Sequence, residues 1–190
     1  MAHEVPLFPL HTVLFPGGPL ALRVFEARYL DMIGRCLKAG VGFGVVAIAR
    51  GSEVGAAETY SVGTMAEIVD WHREPDGLLG IHARGGARFR LSATRRLPDG
   101  LYVGDAELLP PEPRAGLPPE HARLAALLER ALAPLADRYK LVERAYDDAT
   151  WVGYRLAEVL PLSVATKQRL LEMEDARARL AELDARLIVA

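Results

Sequence analysis

Five histidines (His3, His11, His72, His82 and His121), one cysteine (Cys36) and four serines are the side chains from which this sequence could build a metal centre or a nucleophile. Zinc needs several ligands at fixed spacing, as in H-E-x-x-H, and no such spacing occurs. Cys36 stands alone, which also excludes an internal disulfide. His72 and His82 can meet across adjacent strands. A deep pocket gathering them with Glu67 would be needed to make them catalytic, and half-exposed strand histidines are the simpler reading. Ser163 and Lys167 are four apart and can share a helix face. A serine–lysine dyad needs a desolvated lysine beside an activated hydroxyl, whereas Ser163, two residues after Pro161, suits a helix cap. The sequence contains no G-x-S-x-G elbow and no G-x-x-x-x-G-K-[ST] phosphate loop. The glycine-dense stretches Gly40 to Gly44 and Gly51 to Gly55 read as turns. The expectation is a protein with no catalytic residue, no metal and no cofactor.

Two other sets of side chains could bind rather than react. Arg84, Arg88, Arg90, Arg95 and Arg96 crowd one hairpin region in a chain of net charge −2. They are candidates for RNA or another anion, because phosphate neutralisation supplies most nucleic-acid affinity. The same arginines suit a solvated sheet face that discourages edge pairing. Strand alternation turns Phe89 inward and Arg88 and Arg90 outward, so no aromatic platform for a base accompanies them. Nucleic acid is therefore the second choice of partner. Phe8, Leu14, Phe15 and Trp71 lie in or beside turn-rich segments. They either cap a core or open as an apolar groove for polypeptide.

The elements that must position these residues follow from composition and periodicity. The chain has 190 residues, 51% hydrophobic and 25% charged, which is the profile of a soluble globular protein. No run approaches 18 uninterrupted apolar residues, so no membrane span is expected. The start, MAHEVPLFPL, lacks the features of a secretory signal, and the cytoplasm is the expected location. A β-rich part over 1–109 is predicted, then a proline-rich linker over 110–119, then a helical part over 120–190. Strands are expected at Val5 to Leu10, Leu20 to Val24, Phe43 to Ile48, Val62 to Trp71, Leu78 to Ala83, Ala87 to Thr94 and Leu101 to Leu108. Asp76-Gly77, Gly85-Gly86 and Asp99-Gly100 read as the turns between the later ones. A helix over about Glu26 to Ala39 buries Tyr29, Met32, Ile33, Cys36 and Leu37, with Gly40 just past its end. The fold class is α+β: an irregular β-barrel with one helix, followed by a small helical bundle. The stripe Leu180, Leu183 and Leu187 serves equally for packing within one copy or against a second, so the oligomeric state stays open.

Several segments in one order carry a family resemblance. Val5 to Leu10, Val13 to Gly18 and Leu20 to Tyr29 (LALRVFEARY) resemble the N-terminal substrate-binding domain of Lon, the ATP-dependent protease. Phe43 to Val46, Val62 to Ile68 (VGTMAEI) and Gly85 to Leu91 (GGARFRL) resemble its later strands. Lys167 to Glu172 (KQRLLE) resembles a helix of its second part, and Arg179-Leu180 the pair beyond it. The resemblance implies a PUA-like pseudo-barrel followed by a helical subdomain, in agreement with the strand-then-helix pattern. It supplies no catalytic residue, and the ATPase and serine–lysine protease parts of Lon are not carried over. Its motif residues Pro16, Gly17, Gly18, Phe25, Glu26, Arg28 and Tyr29 read as structural. Phe25 and Tyr29 would pack the helix start onto the barrel, Glu26 would sit at the positive end of the helix, and Arg28 would pair with a nearby acid. The implied function is a non-catalytic interaction module. Its partners would be unfolded or partly folded polypeptides, or a protease or chaperone that it serves as adaptor or modulator.

Overall fold

The computed structural model describes residues 3–53 and 57–188; Gly55 of the second glycine-dense stretch lies outside them. Two compact units divide the chain, Met1–Pro110 and Pro111–Ala190.

In the first unit the described strands are β1 (His3–Leu10), β2 (Pro19–Val24), β3 (Phe43–Gly51), β4 (Ala57–Thr59), β5 (Val62–Arg73), β6 (Leu79–Arg96) and β7 (Tyr102–Leu108). Neighbours run β1–β7–β6–β5–β3, and β1 also pairs with β3, so the ring closes. Closure is possible because β1 changes partner midway. His3 to Leu7 pair antiparallel with β7, and Leu7 to Leu10 pair parallel with β3. Each half leaves one flank unpaired, which is where Pro6 and Pro9 are tolerated. β4 is attached to β3, and β2 to the first half of β6.

The two strands expected at Leu78 to Ala83 and Ala87 to Thr94 are one strand, β6, and Gly85-Gly86 is not a turn. Gly85 is required there for a different reason: a Cβ on it would run into the Phe15 carbonyl oxygen. Register shifts in β5 and β6, including one between Leu91 and Ala93, bend these long strands around the core. The bending also breaks simple alternation. Arg88 and Phe89 are both buried, so the outward placement expected for Arg88 is corrected, and Leu91 is half-buried.

Helix α1 (Ala27–Ala39) plugs the ring. Tyr29, Met32, Ile33 and Cys36 are buried, while Leu37 is exposed. Gly40 follows in the left-handed conformation at φ 65° and ends the helix, its N–H bonding back to the Leu37 carbonyl, as the sequence predicts. The core joins α1 to Phe8, Leu10, Phe43, Val45, Ile81 and Val103.

The second unit contains α2 (Ala122–Leu132), α3 (Ala149–Val159), α4 (Val164–Glu172) and α5 (Ala176–Ile188). Helix α2 passes into a 3-10 turn at Ala133–Leu135, where Pro134 removes a donor. Asp148 caps α3 by accepting from the Thr150 N–H at 3.0 Å, and Ser163 caps α4 by accepting from the Thr166 N–H at 3.2 Å. The proline-rich stretch is tied into this unit from residue 111 onward. Glu112 accepts from both terminal guanidinium nitrogens of Arg179, at 2.9 and 2.7 Å, and from the Tyr154 hydroxyl at 2.6 Å. Among the described residues no helix is long and apolar enough to cross a membrane.

Candidate functional site

Three of the four apolar candidates for a polypeptide groove are core residues. Phe15 is fully buried, and Leu14 and Phe8 are buried with it. Phe8 stacks on Tyr29 with ring centroids 4.0 Å apart. The Leu14 carbonyl accepts from the Thr64 hydroxyl at 2.6 Å. Phe8 lies within β1 and faces the core, while Leu14 and Phe15 fold in from the turn-rich segment between β1 and β2. Trp71 alone of the four is open, at 59% exposure. Register aligns it in one row with Ile81 and Leu22, across β5, β6 and β2.

The sequence places Phe25 beside Tyr29, and instead Phe25 is 62% exposed. The reason is local. The helix begins at Ala27 with Glu26 at the cap position, so Phe25 lies outside it, and the i,i+4 relation does not apply. Phe25 stands over a cleft of about 210 Å³ whose apolar lining includes Phe8, Leu10, Leu22, Val24 and Tyr29. Arg23, Glu26 and Glu53 supply its charged lining. Arg28 braces the wall from beneath. Its guanidinium holds Glu26 at 2.8 Å and the carbonyls of Gly100 and Glu53 at 2.7 and 3.0 Å.

Tyr29 is buried, at 3% exposure, yet its hydroxyl has no hydrogen-bond partner among the described residues. Such a group costs free energy until something bonds to it. Burial pushes the Tyr29 pKa up to about 12, with the Arg28 charge opposing and Glu26 and Glu53 adding to the rise. The phenol is therefore a neutral donor across the physiological range. An unfolded tyrosine ionises near ~10, so the folded form loses its proton less readily. The first unit should keep this stability below pH ~10 and lose it between ~10 and ~12. In a Trp151→Phe background, where Trp71 alone reports, the urea midpoint should fall over that range with Tyr29 present and less in Tyr29→Phe. Equal slopes would show that Tyr29 does not carry the effect.

A second shallow cleft, also about 210 Å³, is lined by Cys36, Leu37, Val41, Glu67 and Ile68. Burial raises the Cys36 thiol above its ordinary value, which keeps it protonated and inert.

The arginine group does not form a free cationic face. Arg84 pairs with Glu67 at 2.8 Å, and Arg95 pairs with Glu4. Arg96 donates to the Gly100 carbonyl and lies over the Tyr102 ring. Arg88 is buried, which leaves Arg90 exposed. His72 and His82 do meet, with ring centroids 5.2 Å apart, and His72 contacts Glu74. Glu67 is engaged by Arg84 instead of joining them. Among the described residues no group of three or more His, Cys, Asp or Glu side chains could hold a metal ion. Ser163 and Lys167 are also separately engaged: the hydroxyl caps α4, and the lysine donates to the Glu158 carbonyl at 2.8 Å.

A family model for the ATP-dependent protease La (LON) substrate-binding domain matches residues 4–185. The chain belongs to the LON substrate-binding domain family. The solved structure of a Lon N-terminal domain protein from Xanthomonas campestris is 40% identical, with a TM-score of 0.80 over 96% of this chain and 98% of that one. The N-terminal domain of a Mycobacterium avium complex Lon protease, 21% identical over 95% of this chain and 96% of that one, shares the fold with a TM-score of 0.61. Lon protease of Erwinia amylovora is 27% identical over 95% of this chain, and that of Escherichia coli K12 is 28% identical over 95%. The chain spans about a quarter of the length of these two proteases, 24% in each case.

The residues that carry the resemblance fall in a turn bonded to β6 and in the lining of the cleft. In the Pro16-Gly17-Gly18 turn, the Gly17 N–H donates to the Gly85 carbonyl at 2.7 Å, and the Gly85 N–H to the Gly18 carbonyl at 2.8 Å. Phe25, Glu26 and Tyr29 line the cleft directly, with Arg28 holding Glu26. Their signal in the sequence is the run of motif residues, but exposure at Phe25 and a Tyr29 hydroxyl without a partner among the described residues are facts of three-dimensional packing.

Proposed function

We propose that this chain is a non-catalytic polypeptide-binding module that takes exposed apolar segments of unfolded or partly folded proteins into the cleft beside Phe25. It would act in the cytoplasm as an adaptor or modulator of protein turnover, alongside a protease or chaperone. The observation that supports this most is the cleft itself: apolar walls, an exposed phenylalanine and a buried hydroxyl with no partner among the described residues, within a substrate-binding domain. Apolar lining with few polar groups suits side-chain capture and gives no set of groups for bond making.

The test is binding of a fluorescently labelled, permanently unfolded polypeptide at two salt concentrations, with a folded protein and an RNA as controls. Binding should be selective for the unfolded chain and change little with salt, because apolar burial is not screened. Phe25→Ala should weaken it several-fold with little loss of stability, since Phe25 is mostly in solvent. Salt-sensitive binding to RNA, with none to the unfolded chain, would overturn the proposal in favour of the arginine region.

A further inference from the structure

Among the described residues β2 pairs with β6 alone, so its other edge has no partner strand. The hydrogen-bond parity of β2 can be read from its start. The Gly85 N–H donates to the Gly18 carbonyl, and the register continues as Leu20↔Ala83, Leu22↔Ile81 and Val24↔Leu79. In an antiparallel pair alternate residues bond inward to the partner, so Pro19, Ala21 and Arg23 direct their main-chain groups to the free edge. Proline at 19 fits, because it has no N–H to leave unpaired. The Arg23 side chain is drawn to Asp76, in the turn between β5 and β6, and so leans toward the paired side of β2. Free edges invite strand addition, and this one borders the cleft, which Ala21, Leu22, Arg23 and Val24 all line.

The second observation is independent of the edge. The buried Tyr29 hydroxyl has no partner among the described residues, and Tyr29 lines the same cleft. We infer that an extended polypeptide segment adds to the free edge of β2 as a further strand, bonding its main chain to Ala21 and Arg23. One apolar side chain enters the cleft against Leu22 and Phe25, and the Tyr29 hydroxyl donates to a main-chain carbonyl of the segment. This rests on the polypeptide-binding reading and names how that site recognises its ligand: main-chain bonds give affinity without sequence, and the cleft selects an apolar residue. Arg28 holds Glu26, and Arg23 stands with Glu53 in the lining, so the cleft sets no charge on the segment and selects by apolar burial. Pro19 at one end of β2 and the helix start at the other limit the addition to about four or five residues, a common strand length.

The probe is a fluorescently labelled eight-residue peptide of alternating valine and lysine with one central phenylalanine, with its fully N-methylated counterpart as control. N-methylation keeps the side chains and removes every amide donor. Binding is read by anisotropy, with folding of each variant checked by circular dichroism. The unmodified peptide should bind at least tenfold tighter than the N-methylated one. Ala21→Pro should cost at least tenfold, and Tyr29→Phe about three- to tenfold, as befits one hydrogen bond. Equal binding of the two peptides, or full affinity in a folded Ala21→Pro variant, overturns the inference. Should Ala21→Pro fail to fold, the peptide pair and Tyr29→Phe still decide. If the unfolded polypeptide binds while N-methylation and Tyr29→Phe change nothing, strand addition falls and the broader function stands. If neither probe binds, both fall. A concentration-dependent dimer that disappears in Ala21→Pro would assign the edge to a second copy and also overturn the inference.

Discussion

Arg179→Leu is expected to lower the unfolding free energy of the second unit by about 3–5 kcal/mol, the range for removing one partner of a buried ion pair. Arg179 is fully buried and Glu112 nearly so. Removing the guanidinium takes away the positive charge that the Glu112 carboxylate faces, while the Tyr154 hydroxyl still donates to it and Thr150 stands at the long limit of 3.5 Å. It also releases the Leu170 and Met173 carbonyls at the end of α4, both of which accept from Arg179. The guanidinium lies 4.2 Å from the Tyr154 ring centroid, and this cation–π attraction disappears with it. One side chain therefore joins the 111–119 stretch, α3, α4 and α5. Glu112→Leu combined with Arg179→Leu should recover part of the loss, because no buried carboxylate is left without its counter-charge, but not all, because the two carbonyls stay without their guanidinium donor. Urea unfolding in a Trp71→Phe background, where Trp151 alone reports, isolates the second unit. A loss below about 1 kcal/mol for the single variant would show that the carboxylate remains solvated and that the pair is not structural in this sense.

Legibility of this fold followed the range of the forces involved. Helix α1, most of its buried face and its Gly40 end are readable because periodicity, charge and the glycine cap act within a few residues. Ser163 is readable as a cap for the same reason. The strands follow from apolar runs and turn residues, and β6 departs from that reading where a local turn signal, Gly85-Gly86, answers a distant demand from the Phe15 carbonyl. Family motifs are legible as a set, and they lead to the right fold and family. The candidate site is legible in part. Phe8 lines the cleft from within the core, whereas Trp71, though an open aromatic, lies outside its lining. Phe8, Leu14 and Phe15 cannot be sorted from Trp71 by sequence, because ring closure decides which of these side chains face the core. Phe25 moves the other way for want of one turn of helix. Glu112 is hidden in a stretch whose prolines dominate its appearance, and its partner lies 67 residues on.

Phe89→Ala should destabilise the first unit by about 3–5 kcal/mol, the cost of emptying a large aromatic site, and Gly44→Ala should recover part of that loss. Phe89 is fully buried in the cluster with Leu7, Val46 and Ala106. Its ring occupies space that two glycines leave open. A Cβ on Gly44 would lie 2.9 Å from the ring tip, and one on Gly63 would lie 2.6 Å from it. The glycines are not equivalent. The Gly44 Cβ meets side chains, the Phe89 ring and a Leu7 methyl at 2.8 Å. The Gly63 Cβ also runs into the Val45 carbonyl oxygen, which belongs to the paired strand and cannot turn aside. In the wild-type background either alanine overpacks the core, at about 1–3 kcal/mol. With Phe89 truncated, the methyl at position 44 fills part of the cavity, whereas the clash at position 63 persists. The double variant with Gly44→Ala should therefore be more stable than the sum of its singles by about 1–2 kcal/mol, within the coupling expected of touching residues. The double variant with Gly63→Ala should show little coupling. Urea unfolding of the single and double variants and their parent in a Trp151→Phe background, where Trp71 alone reports, measures both cycles. Equal coupling at the two positions would mean that β3 and β5 shift together, and that backbone rigidity at Val45 is not what demands glycine at 63.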